Sequence, residues 1–88
     1  MLKELEIDIE MLTKRKNEIT ISKECIEIRF IGKGKGLYGG KNYDGLIKFY
    51  PYGKITLYEI KMTTIEEIMA IKLIVDKVKE HFLPNTYF

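Results

Sequence analysis

The sequence predicts an α+β domain, an antiparallel sheet of three or four strands with a C-terminal helix packed on one face. Three observations predict it. Residues 25–31 alternate Ile26, Ile28 and Phe30 with Glu27 and Arg29, the two-residue period of a strand buried on one side. Tyr50-Pro51-Tyr52-Gly53-Lys54 carries proline where a type I turn needs its fixed φ and glycine where the following bulge needs a positive φ, a hairpin signal. Ile65, Ile68, Ile71, Val75, Val78 and Phe82 recur at helical spacing, with Ile74 alongside.

Taken in order, residues 1–17 fit two elements. Leu5, Ile7, Ile9 and Met11 alternate with acids as a strand would, and in a strand Glu6, Asp8 and Glu10 would share one face, able in principle to hold a divalent cation. Leu2, Leu5, Ile9 and Leu12 fit a helix equally well, with acids early, Lys14-Arg15-Lys16 late and Asn17 as a C-cap. The strand at 25–31 comes next, with Cys25 packing at its edge.

Counting outward from the Pro51-Gly53 turn sets Tyr50 against Lys54, Phe49 against Ile55 and Ile47 against Leu57. The last four share the face expected beneath the helix. The opposite face then carries Leu46, Lys48, Tyr50, Lys54, Thr56 and Tyr58. Thr63-Thr64-Ile65-Glu66-Glu67 offers a capping box in two registers, so a helix is expected over 64–82, ended by Pro84.

Eighty-eight residues suit one domain, and 45% hydrophobic with 32% charged residues is the composition of a folded globular chain. The longest apolar run, 68–75, is broken by Lys72, and the opening residues are acidic from Glu4, so neither a membrane span nor a secretory leader is expected. A single cysteine, Cys25, rules out an internal disulfide and points to a reducing, cytoplasmic setting. The net charge is only +2, but it is uneven. Residues 32–62 hold six lysines against Asp44 and Glu59, a net +4, whereas the flanking segments are each −1. The positive field therefore gathers on the glycine-rich stretch Ile31-Gly-Lys-Gly-Lys-Gly-Leu-Tyr-Gly-Gly40 and on the residues after it, up to position 62.

Within that stretch Gly34-Lys-Gly36-Leu-Tyr-Gly39 spells G-x-G-x-x-G. A phosphate cradle of that type needs a helix directly after the glycines, and residues 43–50 continue as a strand. A Walker loop fails as well, because Gly40 stands where its lysine belongs. The plain reading is a long hairpin loop. The functional reading uses Lys33, Lys35 and Lys41 for charge and Tyr38 for stacking. Lys48, Tyr50, Lys54 and Tyr58 on the outer sheet face extend this into a lysine–tyrosine surface suited to phosphates and bases.

Catalytic chemistry has fewer carriers. His81 is the only histidine, falls on the flank of the C-terminal helix, and has no nucleophilic companion beside it in sequence. Glu59-Ile60-Lys61, at the end of one predicted strand, comes fifteen residues after Asp44 at the start of its partner. With the "YPYGKI" turn, this resembles the catalytic hairpin of the PD-(D/E)xK nuclease superfamily over residues 43–61. The resemblance implies Asp44 and Glu59 as Mg²⁺ ligands, with the metal activating water, and Lys61 as the group that polarises it. Tyr43 replaces the usual proline, and the hairpin count places Glu59 opposite Gly45 and Asp44 opposite Ile60. The two carboxylates then lie on opposite faces unless a bulge at Gly45 turns one over.

On the last helix Met69 and Leu73 stand four apart, away from the core stripe, as the seam of a homodimer would. The leading expectation is a non-enzymatic binding protein, its Gly/Lys/Tyr hairpin engaging nucleic acid or a nucleic-acid-handling protein complex. An inhibitor of a nuclease or defence system carried by a mobile element would use the same device. A Mg²⁺-dependent nuclease and a homo-oligomerising module are the alternatives.

Overall fold

A computed structural model describes residues 2–22, 24–35, 40–50, 53–58 and 64–82. Their order is α1 (Leu2–Thr13), β1 (Asn17–Ile21), β2 (Ile26–Lys35), β3 (Lys41–Phe49), β4 (Ile55–Tyr58) and α2 (Ile65–Phe82). The strands form one antiparallel sheet in the order β1-β2-β3-β4, each paired with its neighbour in sequence. The expected α+β class holds. Among the described residues no helix is long and apolar enough to cross a membrane.

The N-terminal ambiguity resolves as a helix. Leu5 and Ile9, four apart, are buried, whereas Ile7 and Met11, which a strand would place beside them, are exposed. The helix ends at Lys14, whose φ of 59° is the left-handed turn that usually closes a helix with glycine. Asn17 is thus not a cap. It opens β1, an edge strand the sequence pattern did not reveal, and its Nδ2 donates to the Glu6 carbonyl at 3.0 Å. The Glu6 carboxylate accepts from the Ile19 N–H at 3.0 Å, tying α1 to β1. The acids of α1 therefore do not form the cation-binding row a strand would have made.

The β1–β2 turn is closed by Ser22. Its N–H donates to the Cys25 carbonyl at 3.0 Å, and its Oγ accepts from the Glu24 and Cys25 N–H groups at 3.2 Å. Cys25 is buried beside it. The β3–β4 hairpin keeps the expected register, Phe49 against Ile55 and Ile47 against Leu57, with the Tyr50 N–H donating to the Lys54 carbonyl at 2.8 Å. Gly53 sits at φ 81°, as the turn requires. Thr64 caps α2, its Oγ1 accepting from the Glu67 N–H at 3.1 Å.

Both helices lie on the same sheet face. Leu5 and Ile9 of α1 and Ile71 and Val75 of α2 close over Ile19, Ile26, Ile28, Phe30, Ile47 and Phe49 in one cluster. Ile55 packs against this cluster, but Leu57, expected under the helix, is 48% exposed. The buried residues of α2 lie over the Ile26, Phe49 and Ile55 end of the sheet, leaving Leu57 on the edge strand uncovered. Among the described residues no helix lies on the other face of the sheet.

The β2–β3 ladder runs in register from Ile26↔Phe49 to Phe30↔Gly45, then shifts, with Ile31 opposite Tyr43. Asp44 is the extra residue of this β-bulge. By plain alternation Asp44 would join Leu46 and Lys48 on the open face and Tyr43 would join Ile47 inside. The bulge reverses both. Asp44 turns toward Gly32, where an added Cβ would come within 3.1 Å of its Oδ2 and 3.2 Å of the Asn42 carbonyl. There Asp44 accepts a hydrogen bond from the Arg15 guanidinium, which also stacks 4.4 Å from the Phe30 ring centroid. Gly32→Ala should therefore lower stability by about 1 kcal/mol in urea denaturation, because a backbone carbonyl has to move aside. A stabilised Gly32→Ala variant would mean that the bulge yields freely and does not hold Asp44 in place.

Candidate binding surface

Antiparallel register lays the uncovered face out in rows. Glu18, Arg29, Leu46 and Tyr58 are successive cross-strand partners over all four strands, and Thr20, Glu27, Lys48 and Thr56 form the next row. Past the first row lies Ile31 opposite Tyr43, and past the second come Tyr50 and Lys54 at the hairpin. Acids thus occupy the β1–β2 half of the face, and the lysines and most of the tyrosines occupy the β3–β4 half.

Each described cation here is matched to an aromatic ring. The Lys48 ammonium stands 5.5 Å from the Tyr58 centroid, Lys54 stands 5.2 Å from Tyr50, and the Arg29 guanidinium stands 5.9 Å from Tyr43. Glu27 lies between two of them, 2.6 Å from Arg29 and 3.6 Å from Lys48. The Tyr43 hydroxyl donates to Glu18. Three cations against two carboxylates leave the described face at +1, so it is an alternating polar and aromatic surface more than a strongly basic one.

Of the residues singled out from the sequence, Lys48, Tyr50, Lys54 and Tyr58 do converge, two ring–ammonium pairs side by side on β3 and β4. Lys33, Lys35 and Lys41 lie on strands, because β2 runs on to Lys35 and β3 starts at Lys41, so the first half of the glycine stretch, residues 31–35, is strand, and residues 36–39 lie outside the described residues. Past the bulge the ribbon continues to Lys35↔Lys41, and among the described residues no flanking strand pairs with that end of it. Between Ile31↔Tyr43 and Lys35↔Lys41 β2 holds two residues more than β3, so the paired ribbon runs about 7 Å past Ile31↔Tyr43, the ~3.3 Å rise of each of the two β3 residues from Tyr43 to Lys41. The side chains of Lys33, Lys35 and Lys41, and the whole of Tyr38, lie outside the described residues.

Arg29 and Tyr43 were not singled out. Arg29 read as an ordinary outward strand residue, and only the bulge delivers Tyr43 to this face. With Leu46, Gly45 and Tyr58 they line a shallow cup of about 210 Å³, open to solvent. That is below the ~300 Å³ at which small-molecule pockets begin.

Asp44, the first member of the nuclease-like hairpin, is engaged by Arg15 at the base of the ribbon. A bulge in the β2–β3 ladder turns Asp44 over, but its carboxylate already faces a guanidinium. Glu59 and Lys61 lie outside the described residues. No group of three His, Cys, Asp or Glu side chains among the described residues is arranged to hold a metal ion. Met69 and Leu73 on α2 are 52% and 64% exposed, and Ile65 continues their line. Comparison with protein-family models, curated proteins and solved structures finds no match to this chain.

The electrostatics of the face turn on Lys48. Its ammonium is held above the ordinary lysine value of 10.5, first by the Tyr50 hydroxyl, whose ionised form is negative, with burial opposing and Glu27 and Tyr58 adding to the rise. A raised lysine pKa adds stability that is complete below the unfolded value and is lost only as pH climbs through the folded one. The destabilisation caused by Lys48→Met, read from denaturant midpoints, should therefore be the same across about pH 6 to pH 9 and shrink only in stronger alkali. A change within that window would show that Lys48 is not the group that titrates.

Proposed function

We propose that this protein is a non-enzymatic binding protein that engages nucleic acid through the β2–β3 ribbon and the adjoining β3–β4 half of the open sheet face. The observation that carries this reading is the ribbon. Among the described residues it extends past the strands that flank it, and it registers Lys35 directly against Lys41. No acid occurs between Glu27 and Asp44, while Arg29, Lys33, Lys35 and Lys41 do. Like charges at opposed positions weaken a two-stranded ribbon, and a phosphate held near both relieves that repulsion. The glycines allow a backbone approach to phosphate that bulkier residues would block. Asp44 supports binding over metal-dependent cleavage, since it would have to release Arg15 before it could ligate Mg²⁺.

The test is fluorescence anisotropy with labelled oligonucleotides over a salt series. Affinity should fall steeply with salt, and Lys33→Glu/Lys35→Glu should weaken binding at least about tenfold at low salt and flatten the slope by about two phosphate contacts. A dissociation constant indifferent to those two substitutions removes the ribbon from the interface. Absence of any oligonucleotide affinity, with the ribbon variant losing capture of a nucleic-acid-handling protein complex, would shift the partner from nucleic acid to protein.

A second surface favours self-association. Ile65, Met69 and Leu73 recur at four-residue spacing along the solvent side of α2, all three exposed. We propose a second copy of this chain as what covers them, with Leu73 part of the seam. Light scattering should give a dimer mass for the parent and about half of it for Leu73→Glu, since one buried charge per subunit opposes closure. A monomeric parent would end this reading.

A further inference from the structure

The cup on the open face narrows the kind of nucleic acid. Tyr43, three residues before Leu46 on β3, and Tyr58, the partner of Leu46 on β4, line the cup with it and are 42% and 46% exposed, so each keeps a large uncovered surface. Neither is held loosely. The Tyr43 hydroxyl is hydrogen-bonded to Glu18 and its ring lies by the Arg29 guanidinium, which is itself fixed by Glu27 at 2.6 Å. Tyr58 is the direct cross-strand partner of Leu46 and lies against the Lys48 ammonium. Two positioned rings, an apolar floor and a guanidinium with further N–H donors make a receptor for one flat, polar-edged ring system. A free small molecule is a poor candidate, because the cup is too shallow to surround one.

Charge decides the direction of approach. Phosphates laid over Glu18 or Glu27 would meet carboxylates, whereas a path from the ribbon along β3 and β4 passes Tyr43, the cup, Lys48 and then Tyr50 with Lys54. A duplex keeps its bases stacked and offers only their edges, leaving the two rings without a flat partner. A single strand can turn a base out onto an aromatic side chain while its backbone tracks the lysines.

We infer that the Tyr43–Leu46–Tyr58 cup takes one unpaired base, so that the ligand of this surface is single-stranded nucleic acid. This rests on the binding function proposed above and goes beyond it by specifying strandedness and the base-contacting residues. Because stacking has no sequence preference of its own, DNA and RNA strands both fit, and any preference between them would come from contacts to the 2′-hydroxyl.

The experiment uses the full chain with single-stranded DNA and RNA of about eight nucleotides, their duplexes, and the same strands carrying 2-aminopurine. Single strands should bind at least about tenfold tighter than duplexes, with 2-aminopurine fluorescence quenched on binding. Tyr43→Leu and Tyr58→Leu should each reduce single-strand affinity at least about fivefold, while Tyr43→Phe and Tyr58→Phe, which keep the ring, should not. Equal affinity for duplex, or no quenching, together with a continued loss in Lys33→Glu/Lys35→Glu, overturns this inference and leaves the binding function standing. No affinity for any of these strands overturns both. The 2-aminopurine signal is read on the parent protein, so the result does not depend on the leucine variants folding.

Discussion

The structure is organised by a buried core cluster that lies on one side of the sheet. Ile19, Ile28 and Ile47 lie in one cross-strand row and Ile26 faces Phe49 in the next, so four strands present a continuous apolar floor. Helices α1 and α2 close over that floor together. Among the described residues there is no third helix to cover the opposite side. That side therefore has to remain soluble while still holding its strands in register, and ring–cation and ion pairs across strands do both. The residues that make the bare face stable in water are the same ones that a base or a phosphate would meet.

The bulge at Asp44 joins the two sides. One additional residue on β3 exchanges the faces of Asp44 and Tyr43, sending a carboxylate to Arg15 and a phenol to the open surface. Arg15 comes directly after the left-handed turn at Lys14, so the end of α1, the Phe30 ring and the base of the ribbon are fixed through a single guanidinium. Gly32 is the residue that makes room for this arrangement. The pair is partly exposed, which makes its role more one of register than of stability. It sets where the flanked sheet ends and the two-stranded ribbon begins.

The elements legible in the sequence were those with redundant signals. Helix α2 has both a cap and a long 3.6-residue period, and the β3–β4 hairpin has Pro51 and Gly53 to set its register, so both appear where the sequence places them. Segment α1 satisfied two periods at once, and only packing of Leu5 and Ile9 under α2 separates them. Strand β1, five residues long, is too short for a period to stand out, and Asn17 resembles a cap when its hydrogen bond to Glu6 is not known. The lysine–tyrosine pairs on β3 and β4 followed from register alone. Strand alternation assigns Tyr43 to the wrong face, and Gly45 permits the bulge weighed above for Asp44 without requiring it. Glu27 was equally hidden as the carboxylate that moderates the face, since its closeness to Lys48 follows from the β2–β3 register, which no turn signal in the sequence sets.

The working surface we propose is the uncovered side of the sheet, not the helical layer. A titration of isotope-labelled protein with a short single strand, monitored by amide chemical shifts, tests it directly. Perturbations should concentrate on the ribbon and on the amides of Arg29, Tyr43, Leu46, Lys48 and Tyr58, with α1 and α2 unmoved. Perturbations centred on the two helices, or none at saturating ligand, would contradict it.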